Sequence, residues 1–130
     1  MSTGRAGKKY SVEKDRMGKE GESLARLHLE ALGYRILDVN FRFSGGEIDI
    51  IAEKDGEICF VEVRSRWLGS HGNPLETITR PKQTRVIKAA QQYINEKGLN
   101  DTAFSFGAVG IVFYPEGAPE ITFIPNAFTL

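Results

Sequence analysis

The dipeptide Asp55-Gly56 constrains this chain more than any other two residues. It separates two runs dominated by Ile, Val and Phe, GEIDIIAEK and EICFVEVR. A two-residue type I′ hairpin turn needs positive φ at both central positions, and Asp-Gly supplies it. Register follows by counting outward: Lys54 pairs with Glu57 and Glu53 with Ile58, and further along Asp49 falls opposite Glu62 and Glu47 opposite Arg64. One face of the hairpin then collects Ile48, Ile50, Ala52, Cys59, Val61 and Val63 and must be covered by another layer. The other face is apolar near the turn, with Ile51, Ile58 and Phe60, and charged at its far end, with Asp49, Glu62, Glu47 and Arg64.

Two carboxylates in this arrangement need compensation. The alternation predicts a non-hydrogen-bonded pair for Asp49 and Glu62, with Cα atoms about 4.5 Å apart. At an effective dielectric near 20 and a separation of about 5 Å, the repulsion is roughly 3 kcal/mol, a large share of a small domain's stability. A shared proton, a neighbouring Arg64 or Arg66, or a bound divalent cation would each relieve it. Carboxylate oxygens with open positions suit Mg²⁺ or Mn²⁺, ions that assist phosphodiester hydrolysis. Glu22 or Glu47 is the candidate third carboxylate.

The remainder of the chain reads as helices and strands around this hairpin. Residues 1–15 are polar, carry Arg5, Lys8, Lys9 and Lys14, and lack periodicity, which predicts a flexible basic arm ahead of one domain over 16–130. From Met17 to Leu32 the apolar residues recur at helical spacing, with Gly33 as the stop. Glu22 falls on the apolar face of that helix, as an inward functional carboxylate or as an acid placed favourably near the helix N-terminus. Tyr34 to Phe43 is a strand ending in the Ser44-Gly45-Gly46 turn, and Ser65 to Thr79 is a loop. A second helix begins at Arg80-Pro81 and stops at Gly98, followed by strands over Phe104 to Tyr114 and Glu120 to Ile124. The order α-β-β-β-α-β-β predicts an α/β domain with helices packed on a mixed sheet.

Charge is uninformative in bulk and informative locally. Seventeen basic residues balance seventeen acidic ones, so no global field points to a partner. Between Arg64 and Lys88, however, the basic residues are Arg64, Arg66, Arg80, Lys82, Arg85 and Lys88 against Glu76 alone. A solvated helix face accounts for Arg85 and Lys88 more easily than for the whole run. A cationic segment starting beside the acids suits a phosphate backbone. Trp67 is placed to stack on a base or to pack, and His28 and His71 lack the partner spacing of a zinc site or a triad. The single cysteine excludes an internal disulfide. With no membrane-length apolar run and no signal-type segment, the expected location is the cytoplasm.

Several of these stretches are jointly familiar. An acid on one strand, Asp49, followed by Glu62-Val63-Arg64 on the next and preceded by a helix bearing Glu22, resembles the PD-(D/E)xK nuclease core. More closely, GKEGESLARLHLEALGYRIL, NFRFSGGEIDIIA, FVEVR and PLETITRPKQ resemble the YraN-like uncharacterised protein family, which is grouped with Holliday-junction-resolvase-like predicted endonucleases. The resemblance implies a restriction-endonuclease-like fold and a metal-dependent endonuclease acting on DNA, including branched or damaged DNA. It implies Mg²⁺ or Mn²⁺ at Asp49, Glu62, the Val63 position and Glu22, with Arg64 as the fourth catalytic position. It also matches Gln83 to the family's second helix, where Gln83 lines the cleft or satisfies a buried backbone group. Arg66, Arg80, Lys82, Gln83 and Arg85 are the expected nucleic-acid contacts. The superfamily's third motif residue is typically Lys, whereas this chain has Arg64; a guanidinium stays charged and cannot act as a general base. The rival expectation is therefore a non-catalytic nucleic-acid-binding or adaptor domain on the same fold. Resolvase-like nucleases often work as symmetric dimers, so a homodimer is expected by analogy, although this sequence has no evident dimer surface.

Overall fold

The computed structural model describes residues 3–69 and 72–130, with side chains from Met17 onward; Met1, Ser2, Ser70, His71 and the side chains of the basic arm lie outside the described residues. The elements are α1 (Thr3–Ala31), β1 (Arg35–Phe43), β2 (Gly46–Lys54), β3 (Glu57–Trp67), a 3-10 turn (Pro74–Thr77), α2 (Arg80–Lys97), β4 (Phe104–Phe113) and β5 (Glu120–Phe128). Their order is the α-β-β-β-α-β-β expected. The helical backbone of α1 starts well ahead of the Met17 to Leu32 span that its apolar spacing predicts. β3 runs on to Trp67, into the segment read as loop, and β5 continues past Ile124 to Phe128. No helix among the described residues is long and apolar enough to cross a membrane.

The five strands form one sheet in the order β1-β2-β3-β4-β5, antiparallel except for the parallel β3–β4 pair. A parallel neighbour cannot be reached by a tight turn, and α2 makes the crossover. Pro81 sits in its first turn, and Gly98 closes it in the left-handed conformation at φ 65°. The helices cover opposite faces. Val86, Ala89, Ala90, Tyr93 and Ile94 of α2 pack on Ile48, Ile51, Ile58 and Phe60. Ala25 and Leu29 of α1 pack on Ile50, Ala52, Cys59 and Val61.

The β2–β3 hairpin turns as expected, with Asp55 at φ 52° and Gly56 at φ 80°. Its ladder follows the counted register from Lys54↔Glu57 to Ile50↔Val61 and stops there. The expected pairs Asp49 with Glu62 and Glu47 with Arg64 are therefore corrected. The expected apolar face is corrected as well: Ile48 leaves it and packs under α2, while Ile50 stays under α1. On β1 the same exchange occurs, Val39 facing the α1 side and Phe41 the α2 side, opposite Ile50 and Ile48 respectively. Between them Asn40 has φ 51°. A left-handed residue breaks the pleat's alternation, and the β1–β2 ribbon turns over at this point.

Candidate functional site

The acids lie where the β2–β3 ladder ends. Asp49 Oδ2 accepts a hydrogen bond from the Val63 amide at 2.8 Å, so a side-chain oxygen takes a main-chain donor that a continued ladder would have used. Glu62, on β3, is 4% exposed and is the only buried charged or polar residue of the described core. Arg64 ties the acids together. Its Nη2 donates to Glu62 Oε2 at 3.1 Å, its Nη1 donates to the Val63 carbonyl at 3.0 Å, and Nη1 lies 3.8 Å from Asp49 Oδ2.

One guanidinium does not balance two carboxylates here. Burial, and then the Asp49 charge, push the Glu62 carboxyl up to about 8 against the opposing pull of Arg64. Burial also raises Asp49, while the Val63 amide and Arg64 hold it back and Glu22 and Glu47 push it further up. Glu62 Oε1 is buried with no hydrogen-bond partner. An orphaned buried carboxylate oxygen costs about 1–3 kcal/mol, more when charged, and a proton or a cation would relieve it. The donors suit a hard cation: Mg²⁺ is commonly held by one or two carboxylates while keeping waters and substrate oxygens. The Val63 carbonyl, the expected main-chain ligand, is engaged by Arg64. Among the described residues, no group of three or more His, Cys, Asp and Glu side chains is close enough to hold a metal ion, so neither Glu22 nor Glu47 completes a three-acid cluster.

The acids open onto two hollows. Glu62 looks into a cleft of about 770 Å³ under α2, together with Arg42, Glu47, Arg64, Lys82 and Arg85. Asp49 looks into a hollow of about 250 Å³ beside α1, together with Glu22, Val63 and Ser65; Arg64 lines both. Two glycines bring the helices in this close. A Cβ on Gly46 would run into the Arg85 carbonyl oxygen and approach Ala89 Cβ to 3.2 Å, and a Cβ on Gly21 would run into Ser65 Oγ.

The structure thus gathers some of the expected residues and leaves others out. Asp49, Glu62, Val63 and Arg64 meet at one point, Glu22 reaches the α1 side, and Lys82 and Arg85 stand on the cleft wall. Arg80 is exposed at the start of α2, outside the residues lining the cleft. Gln83 Nε2 donates to the Ile78 carbonyl at 3.1 Å and lines a separate small hollow with Leu75 and Ala108, which favours its backbone-satisfying role. Arg66 lies in another hollow, with Asn73 and Glu120. Trp67 packs on Phe113, with ring centroids 5.7 Å apart. Sequence reasoning passed over Arg42, whose Nε lies 3.4 Å from Glu47 Oε2. Counting across the Ser44-Gly45 turn, which pairs Arg42 with Glu47, would have found it.

A family model covers residues 21–111, the span that contains Glu22, both strand acids, Arg64, Lys82 and Arg85. The chain belongs to the uncharacterised protein family UPF0102. Among UPF0102 relatives, a protein of Clostridium perfringens is 43% identical over 122 residues, covering 93% of this chain and 98% of its own. One from Geobacter sulfurreducens is 41% identical, covering 88% of this chain and 89% of its own. One from Myxococcus xanthus is 39% identical, covering 90% and 92%. UPF0102 similarity therefore extends over nearly the whole fold, including both helices that wall the site.

Proposed function

We propose that this UPF0102 chain is a metal-dependent nuclease that hydrolyses phosphodiester bonds in DNA, using Mg²⁺ or Mn²⁺ held by Asp49 and Glu62. The observation that carries the reading is the buried carboxylate oxygen of Glu62, unpartnered among the described residues; Glu62 lines a cleft walled by Arg42, Lys82 and Arg85, and Arg64 bridges it to Asp49 in the adjoining hollow. Such a cation would lower the pKa of a bound water and polarise the phosphate. The chain's own residues hold and orient. The Val63 amide fixes Asp49, Arg64 fixes Glu62, and the cleft's cations attract the phosphate backbone. Glu22, reaching Asp49 from α1, adds negative charge on the far side of the site. DNA is preferred as substrate because the motifs resemble those of Holliday-junction-resolvase-like nucleases.

A second reading has its own observation. Arg64 already pairs with Glu62 at 3.1 Å and lies 3.8 Å from Asp49, which suits a non-catalytic nucleic-acid-binding domain whose acids are neutralised internally. Calorimetric titration of Mn²⁺ into the wild type and Asp49→Asn separates the two, because the nuclease reading expects saturable binding that the variant loses. Linear and four-way DNA are then incubated with Mn²⁺, with Glu62→Ala as control. Metal-dependent, Glu62-sensitive cutting is the expected result. Metal uptake that is identical in both proteins, or DNA binding without cutting, would leave the adaptor standing.

A further inference from the structure

The four cations lining the cleft divide by what they already hold. Arg64 is committed, with Nη1 on the Val63 carbonyl and Nη2 on Glu62. Arg42 faces Glu47 across the first hairpin. Lys82 and Arg85 have no side-chain hydrogen bond or ion pair among the described residues, although both line the same cleft as Glu62. They are three residues apart on α2, so they share one face of the helix. Lys82 is the half-buried one, Arg85 the exposed one.

The position of Lys82, third in the helix, runs against the intrinsic preference of a helix. The first turn of α2 holds no acid, and a cation there opposes the macrodipole at a cost of about 0.3–1 kcal/mol. Gly46 nevertheless allows the α2 backbone to sit directly on β2, which brings this unpaired positive face up to the acids. An anion in the cleft would satisfy the face.

We propose, resting on the nuclease reading, that Lys82 and Arg85 are the phosphate clamp of this site. Lys82 contacts the scissile phosphate beside the acids and Arg85 contacts a neighbouring phosphate of the same strand. Arg64 is a positioning residue that holds Glu62 and Asp49 and touches no substrate. The role that the superfamily gives to a strand lysine is thereby split: the acids are arranged from β3, and the developing phosphate charge is met from α2 by a compact ammonium.

The test compares Lys82→Met, Arg85→Met and Arg64→Gln with the wild type, each first checked for cooperative thermal unfolding; Arg64→Lys replaces Arg64→Gln if the latter does not fold. Binding of a short fluorescein-labelled DNA duplex in Ca²⁺ is measured over a range of NaCl concentrations. Lys82→Met and Arg85→Met each reduce the slope of log K against log salt by about 1, and the Arg64 variant keeps the wild-type slope. In cleavage with Mn²⁺, Lys82→Met lowers kcat roughly 100-fold while calorimetric Mn²⁺ affinity is unchanged. Arg85→Met raises KM and leaves kcat near wild type, and the Arg64 variant alters Mn²⁺ affinity. An Arg64 variant that flattens the salt slope as Lys82→Met was expected to, or a Lys82→Met protein that cuts at the wild-type rate, overturns the clamp while leaving the nuclease reading intact. A wild type that neither binds nor cuts DNA overturns both.

Discussion

The two ends of the β2–β3 ribbon are built from similar residues and do opposite things. At the closed end, main-chain pairing is continuous from Lys54↔Glu57 to Ile50↔Val61. There Ile51, Ile58 and Phe60 are essentially fully buried. At the open end the ladder stops, Asp49 takes the Val63 amide with its side chain, and Glu62 is buried with an orphaned oxygen. The closed end stabilises the fold, and the open end costs stability by burying a carboxylate oxygen that has no hydrogen-bond partner among the described residues. The boundary between them is a single residue pair, so burial alone does not tell a core position from a site position. What distinguishes them is whether the buried group's hydrogen bonds are satisfied.

Substitution at the closed end should have the largest effect. Phe60 packs against Phe106, Tyr93 and Phe104, with ring centroids 5.8, 6.0 and 6.1 Å away. Phe60→Ala is expected to cost about 3–5 kcal/mol in urea unfolding. A loss below about 1 kcal/mol would dissolve the contrast between the two ends.

The open end should respond to pH instead. The folded Glu62 carboxyl sits near 8, above the ordinary 4.5, so between those values the native state binds more protons than the unfolded chain. The contribution of Glu62 to the stability of the metal-free protein is therefore fully present below pH 4.5 and is lost as pH rises through about 8. The expected decline between pH 5 and pH 8 is roughly 2 kcal/mol, taking about half of the shift to survive relaxation of the site. Glu62→Gln should flatten this dependence and unfold later than the wild type at pH 8. A wild-type profile that is flat or rises over this window would show that Arg64 neutralises the pair after all.

The smallest effect concerns how the helices meet the open end. At Gly46 the obstacle is the Arg85 carbonyl, a backbone atom, whereas at Gly21 it is the Ser65 hydroxyl, which a rotamer change removes. Gly46→Ala is expected to cost about 1–2 kcal/mol by lifting α2. Gly21→Ala should cost less, offset by the gain of alanine over glycine inside a helix. Equal losses in thermal unfolding would mean that α1 sits as rigidly on the sheet as α2.

Much of this molecule was legible in its sequence, for reasons that are local. The Asp55-Gly56 turn and the Pro81 and Gly98 boundaries rest on short-range sterics and hold in the structure, and the apolar alternation holds from the turn as far as Ile50 and Val61. The switch of Ile48 to the α2 side was not legible, because it depends on Asn40 choosing a left-handed conformation that asparagine permits without requiring. β5 runs past Pro125 because an edge strand can spare one amide. Which cations face the acids was not legible either. Arg66, Arg80, Lys82 and Arg85 look alike in a list of charges, and the docking of α2 on Gly46 puts Lys82 and Arg85 on the wall of the cleft that Glu62 lines while leaving Arg80 outside it.

Asn40 has a consequence beyond the site. It lies in β1, one of the two strands at the margins of the sheet, and the other, β5, carries Pro125. An unbroken marginal strand is a template onto which a neighbouring chain can add its own. The left-handed kink in β1 and the missing amide in β5 each interrupt such a template, which makes strand addition less favourable at both margins of the sheet.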